Sequence, residues 1–529
     1  MILCTGLQAS AQEAEKKTID ITSSFKPSLR PSAKLRFQPA AIVADTQRPA
    51  LAYNVPVQNL SVVFAPTPLR PMSLQPDSAG PLGDKAYLKG GFGNFSTPYL
   101  NGIARFGNGE VSSGSVEGNF ISSKGKLPYQ QYAQYGAKAQ LFSNVPAGHL
   151  MRVQLGFDGN NTYRYGYRPD TLKIPGDSLK VNYHSMGAGV GLSNKSVADA
   201  GLVYSAWLEG KYFFDNNDGS ETQLKYNLPL EKILNEDVSV LVGVQGLISK
   251  FSGNTNSYNN NLAVLQVGGK FQLTENIRLN ASLLPGWNNG EFALLPDIEA
   301  TIKPATTNLV LQAGWKGYYT EQTWSRLAGF NPWIAQPDTL THTRNNEFFA
   351  GVKAVVNEQF SFRIKAGLNI MNYVPLLVND GYDGRYFKVL YEPEMTAVLA
   401  SGEFTWQQGE KIRWYNALTL NAYSKTDVVE KAAGLLPFEF RSSLRLKLVK
   451  SLFLKADLYN FTGTWYTTNS GMVEKGKSAT DLNAGLEFDI TDKLKLWLNL
   501  NNILNQKYER WNQYQVLGFQ AVGGIIFHL

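Results

Sequence analysis

The chain contains no apolar run near the ~18 residues that a membrane-crossing helix needs, which excludes a helical membrane protein. It has one cysteine in 529 residues, Cys4. Residues 1–11, MILCTGLQASA, have the apolar core and the Ala9-Ser10-Ala11 cleavage pattern of a secretory signal, so a mature chain from Gln12 is expected to hold neither a disulfide nor a thiolate metal site. Met1-Ile2-Leu3 also lacks the small residue that precedes a lipidated cysteine. The four histidines, His149, His184, His342 and His528, are scattered with no i,i+4 pair, which argues against zinc. Gly187-Ala188-Gly189-Val190-Gly191 has the glycines of a dinucleotide loop but lies within an alternating strand and opens no helix. No serine, histidine and acid set suggests itself, so neither catalysis nor a cofactor is expected. The net charge of +7 is dispersed along the chain, and nucleic acid is not an expected partner.

What the chain does have is alternation. Leu482, Ala484, Leu486, Phe488 and Ile490 alternate with Asn483, Gly485, Glu487 and Asp489; a tight Thr491-Asp492-Lys493 turn follows, and Leu494, Leu496, Leu498 and Leu500 then alternate with Lys495, Trp497, Asn499 and Asn501. Gly523, Ile525, Phe527 and Leu529 close the chain in the same period. Forty-eight glycines, 26 tyrosines and 28 phenylalanines suit strands, tight turns and aromatic girdles. From residue 84 onward, ten short turns, among them 229–236, alternate with eleven other, mostly longer connections, among them 375–384, rich in Asn, Gly, Tyr and Trp, which gives about 22 strands. The expected fold is therefore all-β: a transmembrane antiparallel β-barrel over residues 84–529, with its short turns periplasmic and its long loops extracellular.

Facing follows from the same pattern. Phe438, Phe440, Leu444, Leu446 and Leu448 oppose Glu439, Arg441, Ser443, Arg445 and Lys447, while Phe362 and Ile364 oppose Arg363 and Lys365. A lipid-facing Arg or Lys at mid-membrane costs about 2–4 kcal/mol, so Arg363, Lys365, Arg441, Arg445, Lys447 and Lys455 are expected to line the lumen. They are candidates to attract anions, or form a wet wall paired with Glu439, Asp457 and Glu487. Residues 320–336, TEQTWSRLAGFNPWIAQ, place Trp324, Leu327, Ala328 and Phe330 at helical spacing in a long loop. Trp324, Arg326, Phe330 and Trp333, with Trp465, Tyr466, Trp511 and Tyr514, are candidate contacts for a ligand or a surface lipoprotein, or anchors at the barrel rim.

Residues 494–511, LKLWLNLNNILNQKYERW, resemble the penultimate strand and following loop of TonB-dependent receptors, particularly those of the Bacteroidota, at Asn501-Asn502-Ile503-Leu504-Asn505 and Lys507-Tyr508-Glu509. Residues 87–98, with Lys89-Gly90-Gly91-Phe92-Gly93-Asn94-Phe95-Ser96-Thr97-Pro98, are similar to the opening strand of such barrels. The resemblance implies a bacterial outer-membrane location, a barrel seated in outer-membrane lipid, and insertion by the barrel assembly machinery through a C-terminal strand that carries Ile525, Phe527 and Leu529. Residues 12–83 depart from that family. Ten prolines between Pro27 and Pro81 leave an extended arm where the family has a folded plug domain. Lys26, Arg30, Lys34, Arg36, Arg48 and Arg70 give this arm a positive bias, and its apolar residues suit it to lie against the lumen or a periplasmic partner. Two functions follow as expectations. One is a plugless scaffold or accessory subunit of an outer-membrane assembly or secretion machine; the other is a gated transporter or channel for a solute or peptide.

Overall fold

The computed structural model describes residues 86–529 except 108–110, 147, 198–199, 306, 425 and 469–470. The signal expected at 1–11 and the arm expected at 12–83 lie outside the described residues. Twenty-two strands form one closed antiparallel barrel, in which the short segment Ser257–Asn259 extends the strand Leu262–Thr274 toward the rim. Each strand pairs with the next in sequence, and Ala86–Gly93 closes the ring against Gln520–His528 from Tyr87↔His528 to Gly93↔Val522. Closure leaves no sheet edge to be satisfied in hydrocarbon.

The closing seam is built from glycine. A Cβ on Gly91 would lie 2.4 Å from Trp497 Cζ2 and 2.6 Å from the Gly523 carbonyl oxygen, so only a residue without one lets the indole and the neighbouring backbone approach. Trp497 then donates its indole N–H to the Gly90 carbonyl at 3.1 Å. Asn94 fastens the loop end of the seam: its side chain donates to the Phe519 carbonyl at 2.9 Å and accepts the Ala521 N–H at 3.1 Å.

The faces fall as the alternation requires. Ile364 is 52% exposed and Leu368 37%, whereas Lys365 and Asn369, between and beside them on the same strand Phe360–Asn379, are 8% and 5% exposed. Ile525, Phe527 and Leu529 likewise point outward. The apolar outer face runs round the wall through Leu155, Val190, Leu208, Val267, Leu283, Ile298 and Val398. So extensive an exposed apolar band needs lipid, and a closed barrel that carries one resides in the bacterial outer membrane.

Two expected connections are shorter than the pattern suggests. The turn expected over 229–236 is reduced to 234–237, because Ser220–Ile233 carries Pro229 within the sheet, where the pairing with Leu202–Asp215 skips from Tyr204↔Leu230 to Trp207↔Asn227. The loop expected over 375–384 begins only after Asn379: Phe360–Asn379 and Phe387–Gln408 stay paired to Asn379↔Phe387. At 20 and 22 residues they exceed the ~9–11 needed to span a bilayer, so the long hairpin stands above it.

Candidate functional site at the barrel mouth

The connection 321–342 turns inward and crosses the long-loop end of the barrel. It contains the helix Trp324–Phe330, whose N-cap Thr323 accepts the Arg326 N–H at 3.1 Å. Glu221, at the loop end of Ser220–Ile233 and fully buried, reaches the start of that helix. Its Oε2 accepts Ser325 N–H at 2.9 Å and the Gln223 amide at 2.7 Å, and its Oε1 accepts the Ser249 hydroxyl at 2.9 Å. A carboxylate at a helix start meets unpaired N–H groups, so the anchor is electrostatic as well as geometric.

Beyond the helix the loop is fastened to strand ends around the mouth. Tyr183 donates its hydroxyl to the Pro332 carbonyl at 3.1 Å, and Trp333 donates its indole N–H to the Tyr163 carbonyl at 3.0 Å. Gln336 donates to Asp215 at 3.1 Å, and Tyr258 to the Pro337 carbonyl at 2.9 Å. Across the mouth, Phe387 N–H donates to the Trp333 carbonyl at 3.1 Å and Ala335 N–H to the Phe387 carbonyl at 2.8 Å. One apolar core joins these attachments: Tyr183, Phe213 and Phe251 pack on Trp324, while Trp333 stacks on Tyr514 with ring centroids 3.7 Å apart and Phe330 meets Trp511 edge-on at 4.9 Å.

The helix expected over the Trp324 segment is present, but its rings face inward. Trp324 is 1% exposed, Trp333 6%, Trp511 2% and Tyr514 0%, so they form the interior of a cap and are not displayed to an outside partner. Arg326 and Phe330 are half-buried. Trp465 and Tyr466 lie apart from this core, in the hairpin of Trp465–Thr467 with Val473–Lys475.

Neighbouring loops are held in place by similar devices. Glu392, fully buried, accepts the N–H groups of Asp427, Val428 and Val429. Asn502, in the left-handed region at φ 46°, donates to the Gln506 and Leu517 carbonyls and accepts Gln506 N–H, all at 2.9 Å. Tyr508 donates to Asp481 at 2.7 Å. The Asn-Asn…Asn…Tyr pattern read from the sequence is thus the frame of loop 502–519. Burial pulls Arg510, over the Trp511 ring at 4.4 Å, down to about 10 and leaves it charged. His342 is fully buried and accepts Gln322 N–H on Nδ1 at 3.0 Å; desolvation pulls its imidazole down to about 4 against a weaker opposing contact with the Asn260 backbone. Sequence reasoning passed over Glu221 and weighed His342 only as a zinc ligand, since a lone acid or histidine carries no signal of what packs on it.

The expected lumen residues lie on the inner wall, each beside an acid or a ring. Lys365 pairs with Glu347 at 2.5 Å, Arg363 with Glu403 at 3.7 Å, Arg441 with Glu439 at 3.2 Å and Lys455 with Glu487 at 3.1 Å. Arg445 and Lys447 lie 5.9 and 5.4 Å from the Phe453 ring centroid. Glu487 also faces Lys89 at 3.6 Å, so four of the six cations stand beside acids, while Arg445 lies directly between Arg413 and Lys455 of the neighbouring strands.

Fold and mouth together define a class, the wide outer-membrane β-barrel with loops folded over its outer end. The FrpB iron transporter of Neisseria meningitidis superposes over 84% of this chain and 81% of its own, with a TM-score of 0.66 and 11% identity. The ferric enterobactin receptor PfeA of Pseudomonas aeruginosa covers 84% and 82% with a TM-score of 0.65 and 11% identity. The ferripyoverdine receptor of the outer membrane of the same organism covers 84% and 72% with a TM-score of 0.61 and 10% identity. At such identity the likeness is one of fold, that of the TonB-dependent receptor barrel. No family model and no curated protein sequence matches the chain.

Proposed function

We propose that this protein is a gated outer-membrane transporter for a polar solute, with loop 321–342 as the gate at its external mouth. The observation that carries the reading is the loop's set of attachments to separated strand ends, among them Tyr163, Tyr183, Asp215 and Phe387, which carry it across the opening. A polar inner wall lies below, suited to solute and water. The structural neighbours are a transporter and two receptors, which favours this reading over a scaffold within an assembly machine. Ile525, Phe527 and Leu529, outward on the closing strand, offer the barrel assembly machinery an apolar edge during insertion.

Single-channel conductance in planar bilayers tests the gate. The full chain is expected to be closed, and a variant with residues 324–336 replaced by a Gly/Ser linker of equal length to conduct. Equal conductance in both would refute loop 321–342 as the gate.

A further inference from the structure

At the short-turn end of the barrel, opposite the cap, adjacent strands of the inner wall carry a row of cations. Arg413, near the start of Ile412–Ser424, stands opposite Arg445 of Phe438–Val449, which in turn stands opposite Lys455 of Leu452–Phe461. Directly opposite residues hold their Cβ atoms about 4.5–5.5 Å apart, so two guanidinium groups and an ammonium group are set side by side by the backbone ladders. Trp414 faces the lipid, so Arg413 beside it faces the lumen, where it is exposed. Lys447, on the same face of its strand as Arg445, leans with it over Phe453, at 5.4 and 5.9 Å from the ring centroid. Of the described acids nearby, Glu487 lies between Lys455 at 3.1 Å and Lys89 at 3.6 Å, and Asp457 accepts the Ser443 hydroxyl at 2.5 Å.

Like charges placed opposite one another repel, and the row concentrates that repulsion at one place on the wall. Arg and Lys side chains fixed along a pore select anions, because an anion there exchanges its hydration for donors already in position. The geometry of the donors narrows the anion further. Each guanidinium presents a planar fork of N–H groups that two oxygens of one acid group can meet. Two forks from adjacent strands need oxygens directed at both, which a tetrahedral phosphate offers and a planar carboxylate with its single pair of oxygens does not. The ammonium groups of Lys447 and Lys455 add charge with no directional demand, and a phosphate monoester brings about 1.5–2 negative charges near neutral pH. We infer that the row binds the phosphate group of an anionic solute between Arg413 and Arg445, with Lys447 and Lys455 at its flanks. The inference names a solute class for the transport reading and takes its physiological sense from it. Binding is measured at equilibrium without transport, so failure of one is distinguishable from failure of the other.

The test is isothermal titration in detergent and low-salt buffer with inorganic phosphate, glycerol 3-phosphate and acetate, on the purified full chain and on the variant whose residues 324–336 are a Gly/Ser linker. At least one phosphate is expected to saturate in the full chain, or in the linker variant alone where the cap denies entry. Acetate is expected to bind about tenfold more weakly, and added NaCl to weaken the phosphate. Arg413→Gln and Arg445→Gln should each weaken the phosphate about tenfold or more, the loss of charge-assisted hydrogen bonds from one fork. Heat-modifiable gel migration establishes that each variant remains a folded barrel, and Arg278→Gln, on the strand Ile277–Asn288 away from the row, is expected to bind as the parent does. No saturation by either phosphate in either chain overturns the proposal whatever the linker variant conducts, so the row and the gate fail separately. Acetate binding as tightly as the phosphates, or undiminished phosphate binding in both folded glutamine variants, overturns it equally.

Discussion

Replacing Glu221 by alanine should release the cap while leaving the barrel intact. The carboxylate accepts three hydrogen bonds, from Ser325 N–H, the Gln223 amide and the Ser249 hydroxyl. Bonds to a charged group contribute about 1.5–3 kcal/mol each, but burying the carboxylate itself costs several kcal/mol, so the net loss of docking free energy is about 3 kcal/mol. That is roughly a hundredfold in the opening equilibrium. Hydrogen exchange of residues 323–331, read by mass spectrometry on the detergent-purified protein, should accelerate by that factor, while exchange in the wall strands stays as in the parent. Glu221→Gln supplies the chemical control. Its amide oxygen replaces Oε2 toward Ser325 and Gln223, and its amide N–H₂ replaces Oε1 toward Ser249, whose hydroxyl rotates to accept, so exchange should rise less than about tenfold. If Glu221→Ala leaves helix exchange unchanged in a folded barrel, the carboxylate anchor is not what holds the cap.

Two further outcomes follow from the geometry. Docked His342 titrates at about 4, against 6.5 for an exposed imidazole, so the open loop takes up a proton first as pH falls; docking should be fully present above about pH 6.5 and weaken toward pH 4 by up to about 3 kcal/mol. Exchange over residues 321–342, corrected for its intrinsic pH dependence, should show that window, and His342→Asn, which keeps an acceptor for Gln322 N–H, should abolish it. At the seam, Gly91→Ala puts a methyl where Trp497 and the Gly523 carbonyl already stand, whereas a Cβ on Gly90 meets nothing within 4 Å. Gly91→Ala should reduce the heat-modifiable, membrane-inserted fraction severalfold and Gly90→Ala should not; equal yields would show that the seam tolerates bulk.

The barrel was legible because a strand in lipid writes its two solvents into alternate residues. Ile364 against Lys365 and Leu496 against Trp497 show the same two faces in sequence and in space. Strand ends were less legible where proline sits inside a strand: Pro229 falls where the pairing with Leu202–Asp215 skips from Tyr204↔Leu230 to Trp207↔Asn227, a fact about a neighbouring strand that the local sequence does not carry. The mouth was legible only locally. Helical spacing from Trp324 to Phe330 reveals a helix, but whether its rings turn outward or inward depends on Tyr183, Phe213, Phe251, Trp511 and Tyr514, brought from four other connections and strand ends.

The division of stability between wall and cap decides which part can move. Every wall strand is bonded along both edges by backbone ladders, and opening one would expose a row of N–H and C=O groups to hydrocarbon, where nothing replaces their partners. The cap is joined to the rim by a small number of hydrogen bonds from side chains and single backbone positions, and apart from the buried Glu221 anchor these can be exchanged for water when the loop opens at little net loss. Its aromatic core resists opening by burial alone, a force that ligand contacts and one or two anchors can offset. Local opening belongs to the least stable unit of a structure, and the proposed gate assigns that opening to loop 321–342 and leaves the wall closed.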